Sequence, residues 1–324
     1  MRGRACFFVM EFSHVPVMPD EVLAGLKIQP GGIYLDATFG RGGHALRILE
    51  RLGPEGALYA LDRDPEAVKA AEKIKDPRFK IAHCAFSAMH TQCLEWGIAG
   101  RVDGILLDIG VSSPQLDNPG RGFSFERDGP LDMRMDPGTP LDAATIVNTY
   151  SAQALAKIFK DYGEERFARR AAAAIVSRRE RRPFQGTAEL AACLAAAIPG
   201  PPGPRHKATR CFQALRIAVN SELDELKKAL EDSVEVLASH GRLCVISFHS
   251  LEDRIVKKFI KDNAQGQSVP RGLPLTFEQT ERMRLATATM EPVGGPIKAS
   301  DAELAMNIRS RSATLRVASR LVRV

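Results

Sequence analysis

Between residues 31 and 109, short apolar runs alternate with stretches of helical period. Residues 33–39 form an apolar run that ends in glycines. A helical pattern over 45–52, a second apolar run over 57–61 and a helical pattern over 65–74 follow, the last with Pro65 in its first turn. Residues 79–85 and 102–109 predict two more strands. The run Ile105-Leu106-Leu107 does not alternate, which suits a strand buried on both faces. Strands and helices repeating at this spacing predict βαβ units and a parallel sheet.

The alternation then stops. Residues 110–140 are rich in Gly, Pro and Asp, and helical patterns occupy 141–148, 151–159, 164–182 and 187–197. A Pro/Gly breaker over 199–204 precedes another helical stretch at 212–219. The βα pattern returns with a helix over 222–238, a strand over 243–248, a helix over 251–261 and a last strand over 313–317; residues 263–300 read as loop. The predicted architecture is α/β, a Rossmann-like sheet with an all-helical domain inserted after the fourth strand. Its expected bounds are a tail over 1–12, a sheet domain over 13–112 and 218–324, and an insert over 113–217.

At 324 residues and 44% hydrophobic, the chain has enough apolar material for a core. The short apolar patch at 5–10 is too short for a signal peptide, and Met10 is an alternative start. No run is long enough to span a membrane. Cys6, Cys84, Cys93, Cys193, Cys211 and Cys244 are scattered, with no CxxC, so neither a metal site nor a disulfide framework is expected, and a cytoplasmic location is the simplest reading. The net charge of +6 leans toward a polyanionic partner.

The glycines of Asp36-Ala37-Thr38-Phe39-Gly40-Arg41-Gly42-Gly43-His44-Ala45 satisfy a dinucleotide pattern, and Asp62 ends the second strand 22 residues after Gly40, where a ribose-binding acid is expected. Locally, an NAD-dependent oxidoreductase fits. Asp36 argues otherwise. A carboxylate at this strand tip repels a pyrophosphate but attracts the ammonium and sulfonium of S-adenosylmethionine. Phe86, after the third strand, either walls an adenine or belongs to the core. Asp108 ends the fourth strand, where an unpartnered buried carboxylate is costly, which favours a role in the site.

The chain resembles the bacterial small-subunit (16S) ribosomal RNA (cytosine-N4) methyltransferase family from His14 onward. The resemblance is carried by His14-Val15-Pro16-Val17-Met18, the glycine loop and Leu61-Asp62-Arg63-Asp64. It runs on through residues 107–117, Arg121-Gly122-Phe123-Ser124-Phe125 and 128–136, then Ala214-Leu215-Arg216-Ile217, Asn220, 247–254 and Arg309-Ser310-Arg311-Ser312-Ala313. It implies a class I methyltransferase domain with an inserted helical domain. It also implies S-adenosylmethionine as cofactor, held at Gly42, Gly43, His44, Asp62, Phe86, Asp108 and Gln115, and a cytidine in the decoding region as substrate.

Cytosine N4 is a weak nucleophile, so methylation requires in-line placement and an acceptor for an N4 hydrogen. Asp108 is the first candidate acceptor. His249 is the second: Ser250 capping the next helix, with Asp253 completing the box, leaves it free. Residues 164–182 carry seven arginines and three acids, and Arg205, His206, Lys207 and Arg210 form a second basic cluster. Arg166, Arg170, Arg178, Arg179 and Lys207 are candidate phosphate contacts. A non-enzymatic RNA-binding module is the other rival, and the sequence leaves a homodimer open.

Overall fold

The computed structural model describes residues 16–201, 203, 205–266 and 276–322; the predicted tail, Met10, His14 and Val15 lie outside them. The strands are β1 (Ile33–Asp36), β2 (Ala57–Asp62), β3 (Phe79–His83), β4 (Val102–Asp108), β5 (Leu237–Ser247), β6 (Met290–Pro292), β7 (Ile297–Lys298) and β8 (Thr314–Arg320). They form one sheet in the order β3-β2-β1-β4-β5-β8-β6, with β7 also on β8. β1 to β5 run parallel and β6 to β8 pair antiparallel. This is the expected Rossmann-like α/β sheet. Its order reverses between β1 and β4, which places the ligand crevice at their carboxyl ends.

The helices are α1 (Pro19–Leu26), α2 (Gly43–Leu49), α3 (Pro65–Ala71), α4 (Met89–Glu95), α5 (Ser113–Asp117), α6 (Ala143–Thr149), α7 (Ala152–Asp161), α8 (Ala168–Arg179), α9 (Thr187–Ala197), α10 (Thr209–Asn220), α11 (Glu222–Val236), α12 (Ser250–Gln265), α13 (Phe277–Thr287) and α14 (Asp301–Met306). Leu106 packs with α1, α2 and α3, whereas Ile105 and Leu107 pack with α4, α11 and α12. Successive side chains of a strand face opposite sides, so this one apolar run fills two layers. Helices α6 to α10 surround a separate core that includes Ile146, Phe159, Ile175, Leu194 and Leu215. No described helix is long and apolar enough to cross a membrane.

Two local expectations change. The helix predicted over 164–182 begins only at Ala168, because Glu164 takes a left-handed φ of 48°. In that position its carboxylate accepts from Ser250 Oγ at 2.7 Å and Arg254 Nη2 at 2.9 Å. The stretch predicted as loop over 263–300 contains the end of α12, all of α13, and β6 and β7; residues 267–275 lie outside the described set. β6 and β7 are two or three residues long and exist only by pairing with β8. No local periodicity can announce such strands.

Helices α10, α11 and α12 meet around Arg216. Its Nε and Nη2 each donate at 2.7 Å to the Glu222 carboxylate, and Nη2 lies 3.9 Å from Glu252 Oε1. Glu252 is 0% exposed. Its carboxyl is held below the usual range against the effect of burial, by His249 and then Arg216. Removing one member of a buried ion cluster leaves an uncompensated charge, which costs about 3–5 kcal/mol. Arg216→Met is therefore expected to lower the unfolding free energy by about that much in urea titrations, and Arg216→Met with Glu222→Gln to recover part of it.

Candidate functional site

A cavity of about 360 Å³ opens at the carboxyl ends of β1, β2 and β4, within the usual size range for small-ligand sites. Asp62 and Asp108, which close β2 and β4, lie on its wall. Asp36 closes β1 just behind, 1% exposed. Its Oδ1 accepts from Thr38 N at 3.1 Å, while Oδ2 has no protein hydrogen-bond partner. Burial pushes the Asp36 carboxyl up to about 7, against the pull of His44 and the Thr38 N–H. Burial likewise raises Asp62 to about 6, although Gly40 N and Asp64 N donate to it at 2.7 and 2.8 Å.

Four backbone donors of the glycine loop are spent on the protein. Thr38 N goes to Asp36, Phe39 N to Leu61 O, Gly40 N to Asp62 and Gly42 N to Phe39 O. A pyrophosphate site needs such donors free and no anion beside them. These four donors are consumed and three acids stand close by, which weighs against the dinucleotide reading. The same acids suit a sulfonium and an ammonium.

Gly40, Gly43, His44, Phe86 and Gln115 line the cavity; Gly42 does not. Gly42 is required for another reason. It sits at φ 81°, and a Cβ there would lie 2.8 Å from the Phe39 ring. His44, in the first turn of α2, places Nε2 3.5 Å from Asp108 Oδ2. His44 Nε2, Asp108 Oδ1 and Asp36 Oδ2 are all buried and lack hydrogen-bond partners, so the donors and acceptors of this cluster are available to a ligand. Asp108 N donates to Thr38 Oγ1 at 2.7 Å, fixing the strand tip against the loop.

Gln115 is committed on both ends of its amide. Its Oε1 accepts from Ser112 N at 2.9 Å and its Nε2 donates to Asp64 Oδ2 at 2.8 Å. Asp64 also caps α3 and receives Arg121 Nη1 at 2.9 Å. Arg121 Nη2 in turn donates to the carbonyls of Arg134 and Met135. Asp64 and Arg121 were not predicted as site residues, yet they set the wall that carries Gln115. Asp64 had a signal: an acid directly before a proline at a helix start. Arg121 lies in a run that carries the family resemblance, but nothing local assigns it a role, because its partners lie 57, 13 and 14 residues away. Glu222, Phe248, Met306 and Arg309 also line the cavity; Phe248 and Arg309 fall in runs that carry the resemblance, whereas Glu222 and Met306 do not.

His249 is not on the cavity wall, and the predicted cap shifts by one residue. His249 itself caps α12, with Glu252 completing the box, and its Nε2 lies 3.0 Å from Glu252 Oε1. Asp253 instead holds Arg316 at 2.7 and 3.0 Å. Glu222, His249 and Glu252 have a spacing that suits a metal ion, but the Arg216 guanidinium already supplies the positive charge there.

The basic insert residues divide into two groups. Arg178 pairs with Glu189 at 2.8 Å and lies over the Phe184 ring, and Arg179 donates to the carbonyls of Val147 and Tyr150. Both tie the insert together. Arg166 and Arg170 are exposed, and Lys207 is half-buried.

Solved structures resemble the chain only distantly. A putative rRNA-methylase from Clostridium thermocellum matches at TM-score 0.42 and 10% identity, over 95% of this chain and 100% of that one. A SAM-dependent methyltransferase from Aquifex aeolicus matches at 0.37 and 11%, over 94% and 90%. A Burkholderia thailandensis 1,6-didemethyltoxoflavin-N1-methyltransferase matches at 0.35 and 13%, over 94% and 76%. A family model, by contrast, matches residues 11–321, nearly the whole chain. With that match and a cavity built for a cationic methyl donor, the protein is an S-adenosylmethionine-dependent methyltransferase and belongs to the MraW methylase family.

Proposed function

We propose that this methyltransferase acts on ribosomal RNA of the small subunit, at N4 of a cytidine in the decoding region. The observation that carries the reading is the Asp36, His44 and Asp108 cluster, with three buried atoms that make no protein hydrogen bond beside the cavity. Bound S-adenosylmethionine supplies an electrophilic methyl group on sulfur. Asp62 would accept from the ribose hydroxyls, Phe86 would wall the adenine, and Gly43, His44 and Gln115 would complete the pocket. Asp36, just behind the wall, would supply negative charge toward the donor's cationic groups. Asp108 Oδ1 takes the hydrogen that N4 must lose as its lone pair leaves the ring. The target base reaches this depth only when flipped or single-stranded.

The domain division belongs to the same reading. Residues 13–112 and 218–324 hold the cofactor, and 113–217 face the RNA. The test is mass mapping of methylated nucleosides in small-subunit RNA from cells with and without the protein, which should show loss of one N4-methylated cytidine. Asp108→Asn should lower kcat roughly 10²-fold. Full turnover in that variant would remove Asp108 as the proton acceptor.

Asp36 gives a pH prediction. Its folded carboxyl titrates near 7, above the ordinary carboxylate value, so the stability it contributes is present below about pH 4 and lost as pH rises through 7. A cation at Oδ2 favours the ionised form. Cofactor binding is therefore expected to release up to one proton near pH 6 and none near pH 9, and affinity to rise with pH up to about 7. Calorimetry in buffers of different ionisation enthalpy measures this, and Asp36→Asn should reduce it to the share of Asp62, whose carboxyl burial raises to about 6.

The exposed arginines are the phosphate contacts we retain. Arg166→Glu with Arg170→Glu should weaken RNA binding and reduce its salt slope by about 2, with Tm and cofactor affinity unchanged. Filter binding over a salt series decides the matter, and an unchanged slope would return these residues to solvated surface.

A further inference from the structure

The chain comes back to the cavity near its end, on α14 and the short turn Ile308–Ser312. Met306 is 77% exposed and Ile308 69%. Leaving large apolar side chains in water is unfavourable unless something covers them. Of the exposed large apolar side chains among the described residues, Met306 alone lines the cavity. Those on α13, Phe277, Met283 and Leu285, do not.

The exposure does not come from a loose segment. Ser300 Oγ caps α14, and Asn307 Oδ1 accepts from Arg309 N at 3.2 Å to cap the turn. The buried Glu303 carboxylate accepts from Met18 N at 2.6 Å and Ser310 Oγ at 2.5 Å, so both sides of the Met306–Ile308 tip are anchored. Arg309 Nη2 reaches Asp117 Oδ1 on α5 at 2.8 Å, and Arg311 is exposed beside it. Two apolar side chains are thus held out rigidly at the lip of a cavity, with two arginines next to them.

We propose that Met306 and Ile308 form a wedge that enters the stacked bases beside the target nucleotide and fills the gap it leaves, while Arg309 and Arg311 contact the flanking phosphates. The inference rests on the reading that this cavity receives an RNA base. Taking a base out of its stack costs stacking energy, and apolar side chains inserted at the step offset that cost. Cations beside the apolar tip suit a chain that is polyanionic outside and apolar on its base faces, which a purely apolar protein groove is not.

The test uses small subunits from cells lacking the protein as methyl acceptors. Met306→Ser with Ile308→Ser should lower kcat/KM on subunits roughly ten-fold. It should leave Tm and S-adenosylmethionine affinity unchanged, and it should reduce the reactivity of bases next to the target toward base-specific chemical probes in the bound complex. Met306→Leu with Ile308→Leu should restore both. Unaltered kcat/KM and probe reactivity in the serine variant would overturn the wedge, as would a loss that tracks a fall in Tm or in cofactor affinity. Loss on intact subunits with full activity on protein-free RNA would make the segment a protein-docking site instead. If the unaltered protein transfers no methyl group to the RNA, the underlying reading fails and the wedge falls with it.

Discussion

The buried carboxylate of Asp64 is the point on which the rest of the site depends. It begins α3 by capping it, and it receives both the Gln115 amide and the Arg121 guanidinium. A carboxylate in that position needs several strong donors, and these come from beyond β4. The loop after β2, the segment after β4 and the backbone at Arg134 and Met135 are thereby fixed together. Cutting any one bond would leave a buried charge short of partners, so the arrangement is held as a unit.

The same segment shows why residues 107–136 are so distinctive in sequence. The Arg134 guanidinium closes on Asp132 and on the carbonyls of Pro137 and Thr139. Asn220, 2% exposed, accepts from Met135 N and donates to Met133 O. At Gly122 any Cβ would fall 2.1 Å from the Pro130 carbonyl. A polypeptide with little regular structure is held by side chains matched to particular carbonyls, and few residue types can satisfy them.

The site separates two uses of acidic groups. Asp64, Glu222 and Glu252 are paired with arginines and organise structure. Asp36 and Asp108 each keep a buried oxygen without a protein partner beside the cavity. Paired acids hold elements in place, and unpaired ones store an electrostatic preference for a cationic ligand. Burial of Asp36 is what links ligand charge to pH.

The sequence alone determined the alternation of the first four strands and their helices, the acids at the strand tips, and the long motif after β4. These are readable because their causes are local: two-fold and 3.6-fold periods, glycines at a turn, an acid before a proline. Only the tertiary structure decided which candidates reach the cavity. His249 looked free because Ser250 is a good cap, yet the backbone places His249 in that position and Glu252 holds it. Gly42 looked like a ligand contact, whereas its φ and the Phe39 ring explain it. Arg178 and Arg179, candidate phosphate contacts, bind carbonyls and an acid within the insert. β6 and β7 exist only because β8 offers an edge. Met306 and Arg309 come to the cavity from nearly 200 residues beyond Asp117. Each of these depends on contacts between residues far apart in the chain, which a pattern of neighbouring residues cannot encode.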